Sequence, residues 1–298
     1  LSGKTSYNFT MDLVSLVGSD TLSDGQWKIR FTLSDGAGNS GTSESAAFMV
    51  DRNNPTVTIS NVVDMTDESV VDQYVSKGVS YRAEGTAQDN GGLKEVRIQL
   101  LKDNKTVQLD GSDYKLGTLD AGGNWTCEIG APFTESGVYN LVVTAVDLAG
   151  RTREEKLNLL SDTAAPAITF TSPFAKDFVQ VNYLIGNVVV AGSSSDDAMA
   201  YTAYAIGGKL QDDSVTEINS GTLIPWTTLD GGTYNWRFEF DTTNCGNREL
   251  AYNDSGSVWT IPVHIKAVDL SGNIAYETLN IKIDIDMDKP IVDITYPS

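Results

Sequence analysis

The sequence predicts an all-β protein built from tandem β-sandwich modules. One segment recurs three times without gaps, as GQWKIRFTLSDGAGN (25–39), GVYNLVVTAVDLAGR (137–151) and WTIPVHIKAVDLSGN (259–273). Each copy alternates apolar and polar residues with a period of two, which is the pattern of a half-buried strand. The 298 residues show no strong helical periodicity.

Each repeated segment predicts a strand, a turn and a second strand. In the first copy Trp27, Ile29, Phe31 and Leu33 share one face of the first strand. The turns are rich in Asp, Gly and Asn and begin at Asp35, Asp147 and Asp269. The second strands are SAAFMV, KLNLL and TLNIKIDI, and each is followed by an Asp four residues before a Pro: Asp51 and Pro55, Asp162 and Pro166, Asp286 and Pro290. Since Pro fits the first residue of a strand, each Pro opens a new unit.

The alignment predicts the domain organisation. Residues 1–54 are the back half of one domain, 55–165 and 166–289 are complete domains, and 290–298 are the first strand of a further repeat. The complete units have the size of an immunoglobulin-like sandwich, roughly 100 residues. We therefore predict tandem immunoglobulin-like β-sandwich domains. Because Leu1 is not an initiator, we interpret the chain as part of a longer protein.

Composition excludes several classes of function. Lys and Arg total 21 and Asp and Glu total 40, so the net charge is −19. This charge argues against binding to nucleic acid and against a polybasic membrane-surface module. One histidine and two cysteines are too few for most hydrolytic triads and zinc sites, so we expect no enzyme. No run approaches 18 apolar residues, and we expect no membrane insertion.

The strand, the Asp-x-x-Gly-Asn turn and the spacing from Asp to Pro resemble the tandem bacterial immunoglobulin-like repeats of large surface and adhesin proteins. The resemblance implies an extracellular or cell-surface string of modules with calcium near the module junctions. The matching positions are Asp35, Asn39, Asp269 and Asn273 in the turns and Asp51, Asp162, Asp286 and Asp288 at the junctions. Arg151 replaces the expected Asn in the middle copy, which argues against a calcium site there, and Asp162 has fewer oxygen-bearing neighbours.

The acidic loops have two interpretations. Ca²⁺ takes six to eight oxygen ligands, and turns carrying Asp, Asn and backbone carbonyls supply them. The same residues also form tight turns without any metal, because Asp and Asn make Asx-turns. Two further acidic loops, at Asp89–Asn90 and Asp196–Asp197, either complete such a site or are solvated loops.

Other residues suggest binding to a partner. Trp226 has no counterpart in the other copies, and it forms a glycan contact or packs locally, while the 244–257 insert is a candidate binding loop. Trp236 recurs at a strand position, which favours the core. His264 lies on the outward face of its strand and is predicted to be a surface residue. Cys127 and Cys245 lie in different units and are predicted to be free, with Cys127 in a core.

The leading hypothesis is a non-catalytic structural or adhesive segment of a bacterial cell-surface protein, forming an extended stalk stiffened by calcium. Its expected partners are neighbouring repeats of the chain and a host or cell-surface protein or glycan receptor. Two alternatives stay open. The chain is a glycan- or protein-binding module, or it is an accessory region of a secreted carbohydrate-active enzyme or protease.

Overall fold

The computed structural model describes residues 10–12, 22–173, 186–211, 214–216, 224–229, 234–242 and 252–284. Every helix or strand assigned within these ranges is a β-strand, which confirms the all-β class. No helix in them is long and apolar enough to cross a membrane. The chain separates into unit 1, comprising Leu1–Asp72, Val79–Pro132 and Val138–Leu159, and unit 2, comprising Gln73–Gly78, Phe133–Gly137 and Leu160–Ser298. The predicted boundaries at 54, 165 and 289 stay predictions.

The first repeat folds as a hairpin. Its strands are β1 (Gly25–Trp27), β2 (Arg30–Ser34), β3 (Ser40–Glu44) and β4 (Phe48–Val50). β1 pairs with β4 and β2 pairs with β3, both antiparallel. Leu33 is 74% exposed, whereas the aligned Ala145 and Ala267 are fully buried. The apolar face of this hairpin is therefore exposed at Leu33, whereas the equivalent strand face in the later copies lies in a core.

Two sheets build the sandwich of unit 1. One has the order β11-β12-β7-β5 and the other the order β10-β8-β13-β14, with β9 also paired to β8. Their bounds are β5 Thr56–Asp64, β7 Tyr81–Gln88, β8 Leu93–Lys102, β9 Lys105–Val107, β10 Lys115–Leu116, β11 Thr118–Leu119, β12 Asn124–Gly130, β13 Gly137–Asp147 and β14 Thr152–Ser161. Strands β5, β7, β12 and β11 occupy the A, B, E and D positions of an immunoglobulin-like sandwich, and β8, β13 and β14 the C, F and G positions.

Unit 2 repeats this arrangement. Its sheets have the orders β15-β16-β21 and β20-β17-β23-β22, with β24 paired to β23. Their bounds are β15 Ala167–Ser172, β16 Asn187–Ser195, β17 Met199–Ile206, β20 Ile224–Thr228, β21 Asn235–Asp241, β22 Tyr252–Ser255, β23 Val258–Asp269 and β24 Ile274–Asp284. β18 (Lys209–Gln211) and β19 (Ser214–Thr216) form a separate hairpin. β6 (Tyr74–Val75) pairs in parallel with Leu160–Ser161. Val190 and Trp236 of one sheet meet Val263 and Ile265 of the other in the core.

A tryptophan packed over a glycine recurs in both sandwiches. Trp125 lies opposite Gly85 in the β12–β7 ladder, and Trp236 lies opposite Gly192 in the β21–β16 ladder. A Cβ on Gly85 would lie 2.8 Å from Trp125 Cζ2 and would overlap the Thr58 carbonyl oxygen. At Gly192 a Cβ would overlap the Trp236 ring and a backbone oxygen. Only glycine admits this approach of ring and backbone, and both tryptophans are buried, which confirms Trp236 as a core residue.

We predict that Gly85→Ala and Gly192→Ala each destabilise the chain by about 1–3 kcal/mol, because the added methyl group overpacks the core against backbone that has little room to move. Gly41→Ala is the matched control, since a Cβ added to this strand glycine would have no other atom within 4 Å. Denaturant unfolding of the full chain is the measurement. Equal midpoints for Gly85→Ala and Gly41→Ala would contradict the prediction.

Candidate metal centres

The turn that follows the F strand places an aspartate deep in each sandwich. Asp147 ends β13 with 0% exposure, and its Oδ1 accepts a hydrogen bond from the Arg151 backbone N–H at 2.8 Å. Asp269 ends β23 with 2% exposure, and its Oδ1 accepts the Asn273 N–H at 2.9 Å. These are self-contained turns of the kind that Asp favours.

Three aspartates from separate segments of unit 1 converge on one point. Asp51 precedes β5, Asp89 follows β7 and Asp147 ends β13, and one carboxylate oxygen from each lies within 4.8 Å of the others. Each Oδ1 accepts a backbone N–H of its own turn, from Asn53 at 3.0 Å, Gly91 at 2.7 Å and Arg151 at 2.8 Å. Each Oδ2 is buried and has no hydrogen-bond partner among the described residues. We call these three residues the first cluster.

The electrostatics of the first cluster are unfavourable by themselves. Two carboxylates 4.8 Å apart repel by about 3 kcal/mol at an effective dielectric constant of ~20. Burial raises the pKa of Asp89, the Gly91 N–H opposes this, and the charges of Asp51 and Asp147 raise the pKa further. Buried carboxylate oxygens without partners carry a desolvation cost. A bound cation or proton would relieve both the repulsion and that cost.

The first cluster depends on the absence of a side chain at Gly91. A Cβ on Gly91 would overlap Asp51 Oδ2 and approach Asp89 Oδ1 to 3.2 Å. The corresponding Asx-turn in unit 2 has Ala198 in this place, and its N–H donates to Asp196 Oδ1 at 2.9 Å. The Asp51 carboxylate therefore lies closer to the loop after β7 than it could if residue 91 had a side chain.

A second cluster lies within unit 2 and consists of Asp162, Asp196 and Asp269, again with one oxygen from each within 4.8 Å. Here the protein supplies more of the hydrogen bonds. Asn273 Nδ2 donates to Asp269 Oδ2 at 2.7 Å, and Ser136 Oγ donates to Asp162 Oδ1 at 3.1 Å. Asp269 Oδ2 therefore has a donor, whereas the equivalent Asp147 Oδ2 has none.

Arg151 and Asn273 occupy the same position of the turn and hold the junction in the same way. Arg151 Nε donates to the Asp51 carbonyl oxygen at 3.0 Å, and Asn273 Nδ2 donates to the Asp162 carbonyl oxygen at 3.0 Å. The difference is that Arg151 gives no hydrogen bond to Asp147 Oδ2. The sequence argument was that Arg151 disfavours a cation in the middle copy. In the structure, the carboxylates of this copy nevertheless have fewer hydrogen-bond donors than those of the next copy.

The predicted ligands are distributed unevenly. Asp51 lies in the first cluster and Asp269 in the second, with Asn273 beside it. Asp35 and Asn39 form an exposed turn in which the Asn39 side chain, and then backbone N–H groups, lower the pKa of Asp35. No cluster of three acids among the described residues includes Asp35. Asp286 and Asp288 lie outside the described residues.

Of the other four cluster members, the sequence analysis treated Asp162 as a weaker junction, left the loops at Asp89 and Asp196 open between ligand and solvated loop, and argued against the turn at Asp147 because of Arg151. A signal for them was present. Asp147 aligns with Asp269, Asp162 aligns with Asp51, and the acidic loops at Asp89 and Asp196 occupy equivalent places in the repeat.

The prediction that His264 is a surface residue is wrong. Its face of β23 does point away from the core, but the side chain is only 2% exposed. Nδ1 hydrogen-bonds Thr278 Oγ1 at 2.8 Å, and Nε2 is buried without a partner. Burial lowers the pKa of His264, although the nearby carbonyls of Gly208 and Gly207 act in the opposite direction.

Trp226 is half-buried on β20 and packs against its neighbours. Its ring lies 5.0 Å from Lys266 Nζ and 6.1 Å from the ring centre of Tyr276. Cys127 is free and buried, as predicted, and burial raises its pKa to about 11. Residues 244–251 of the insert, including Cys245, lie outside the described part of the chain.

No protein-family model and no curated protein matches the chain. Solved structures do resemble it. A Ca²⁺-stabilized adhesin with which an Antarctic bacterium binds ice is 17% identical (TM-score 0.38, 89% of this chain), and the tetra-tandem repeat of a large adhesion protein's extending region is 16% identical (0.33, 90%). This chain spans 58% and 62% of those two chains. A 1.5-MDa bacterial ice-binding adhesin is 14% identical (0.41), with 91% of this chain and 78% of that chain covered.

We predict that stability falls as the pH drops below about 6.5, because unfolded His264 takes up a proton that the buried ring resists. The contribution is fully present above that pH and declines by at most about 1.4 kcal/mol per pH unit below it. Urea unfolding between pH 7.5 and 5.5 measures it, in a window where most carboxylates stay ionised. His264→Gln is the control and should flatten the profile. An unchanged slope in that variant would contradict the prediction.

Proposed function

We propose that this chain is a non-catalytic structural and adhesive segment of a bacterial cell-surface protein, in which calcium braces the segments that join immunoglobulin-like repeats into an extracellular stalk. One observation carries the calcium part: the three Oδ2 atoms of Asp51, Asp89 and Asp147 are buried together, and no described residue gives any of them a hydrogen bond. The bacterial, adhesive and cell-surface parts rest on the sequence resemblance.

The chemistry of the first cluster suits calcium. All three groups are carboxylates, which are hard oxygen ligands that favour Ca²⁺ or Mg²⁺ over softer metals. Asp51, Asp89 and Asp147 would hold the ion, with backbone carbonyls and water completing the six to eight ligands. Mg²⁺ demands near-ideal octahedral geometry and gives up water reluctantly, so three converging carboxylates favour Ca²⁺. A divalent cation also offsets part of the net charge of −19.

The bracing follows from where the three ligands lie in the chain. Asp51 lies between β4 and β5, whereas Asp89 follows β7 and Asp147 is the last residue of β13. A shared ion ties residues 51–55 to both loops and removes backbone freedom from that segment. The hydrogen bond from Arg151 to the Asp51 carbonyl acts on the same segment. Neighbouring repeats are the proposed partners within the chain, and a host or cell-surface protein or glycan is the proposed receptor.

We predict that Ca²⁺ raises the melting temperature of the full chain more than Mg²⁺ does. A ligand at 100 times its dissociation constant adds about 2.7 kcal/mol, and each kcal/mol moves the melting temperature of a domain of this size by about 4 °C. Asp147→Asn should remove most of the rise. Asp120→Asn is the matched control, because Asp120 forms the same kind of turn with Asn124 but is exposed and lies in no cluster.

A calcium response that Asp147→Asn leaves intact would overturn the assignment of the first cluster. Asp269→Asn should remove a smaller part of the response, because Asp269 Oδ2 already accepts the Asn273 amide.

We also predict that Ca²⁺ slows amide hydrogen exchange in residues 51–55, since opening of this segment would have to break ion contacts. Mass spectrometry of the full chain in Ca²⁺ and in EDTA measures the effect. The exposed turn at residues 35–39 is the internal reference. A slowing of equal size in both segments would indicate a non-specific salt effect and would count against bracing.

A further inference from the structure

A cavity of about 370 Å³ lies on the outer face of the larger sheet of unit 2, and none of its described lining residues belongs to an acidic cluster. Its floor is made of cross-strand neighbours, since Pro262 pairs with Asn280 and His264 with Thr278 between β23 and β24. Gly208 and Leu210, which follow β17, form a wall. The volume is at the lower end of the roughly 300–1,000 Å³ typical of small-molecule sites.

The cavity contains a polar group that the fold leaves unsatisfied. His264 is 2% exposed and lines the cavity, its Nδ1 is held by Thr278, and its Nε2 has no hydrogen-bond partner in the part of the chain that the structure describes. A buried polar atom without a partner is costly, and native proteins rarely retain one without a reason. A ligand hydroxyl would satisfy Nε2 in either tautomer, because a hydroxyl both donates and accepts.

The charges around the cavity select against ions. Of the described residues that line the cavity none carries a carboxylate, and Lys209 among them is cationic, which disfavours a cation. The net charge of −19 repels anions over a long range, and burial keeps His264 from carrying a compensating positive charge. The charges around the cavity therefore favour a neutral ligand over a cation or an anion.

The lining of the cavity is apolar on one part and polar on another. Pro262 and Leu210 present apolar surface, while His264, Asn280 and Thr278 present hydrogen-bonding groups. A pyranose ring has the same division, with C–H faces and a hydroxyl edge. Next to the cavity on the same sheet face, Lys266 pairs with Tyr276, and the Trp226 ring lies against both. A saccharide longer than one ring would reach these aromatic side chains.

We propose that this cavity, defined by Pro262, His264, Thr278, Asn280, Gly208 and Leu210, is a binding site for one ring of a neutral saccharide. The site is independent of the calcium clusters. In this site the sugar lies beside Trp226 and not on the face of the Trp226 ring that Lys266 covers.

The test uses the fact that His264 is the only histidine in the sequence. In the full chain labelled with ¹⁵N-histidine, the imidazole signals report one ring. The methyl glycosides of glucose, galactose, mannose and N-acetylglucosamine are titrated separately at pH 7.5. We expect one of them to shift the Nε2 signal saturably, with a dissociation constant on the order of 1 mM for a ligand of this size. Inorganic phosphate and Zn²⁺, titrated in the same way, should have no effect.

Asn280→Leu should weaken binding at least about tenfold, since it removes a polar wall of the site. Asn140→Leu, the same change on the F strand of unit 1, is the matched control and should leave binding unchanged. If Asn280→Leu fails to fold, Leu210→Trp fills the cavity from the hairpin and should abolish the shift. The proposal is overturned if no glycoside gives a saturable shift, if only phosphate or Zn²⁺ does, or if both Asn→Leu variants bind equally.

Discussion

The burial of one aspartate at the end of each F strand is the constraint around which each module is organised. A carboxylate with little or no exposure to water has to be compensated by hydrogen bonds or by a counter-charge. In both units the turn itself satisfies one oxygen through a backbone N–H. In unit 2 the second oxygen accepts the Asn273 amide, whereas in unit 1 it faces two further aspartates, one from the junction segment and one from the loop after the B strand.

The two modules meet this constraint differently because of one residue. Asn273 carries a short amide that serves both the buried carboxylate and the junction carbonyl. Arg151 is longer and reaches the junction carbonyl through Nε, leaving Asp147 Oδ2 without a donor. Arg in place of Asn therefore keeps the hydrogen bond to the junction carbonyl, but it removes the side-chain donor to the buried carboxylate of the cluster. Repeats with the same fold differ here in the number of donors that the described structure gives to their buried carboxylates.

The outer face of β23 shows how a module gains features that its repeat pattern lacks. In unit 2 the positions Pro262, His264 and Lys266 alternate with core residues, as in any half-buried strand. Yet His264 and Lys266 are buried, because the chain after β17 and the aromatic side chains of Trp226 and Tyr201 cover this side of the sheet. The scaffold is common to both modules, and the added cover creates the cavity beside His264.

The alternating strands, the Asp-rich turns and the immunoglobulin-like class followed from the sequence, because alternation and turn chemistry are local properties that adjacent residues encode. Local pattern also placed Trp236 in the core and identified Asp51 and Asp269 as acids of interest. Only the tertiary structure decided that Asp89 and Asp147 join Asp51, since these residues come from three separate segments that meet only when the two sheets pack. It also decided that His264 is buried: period-two alternation tells which face of a strand a residue occupies, whereas its burial depends on distant segments that cover that face.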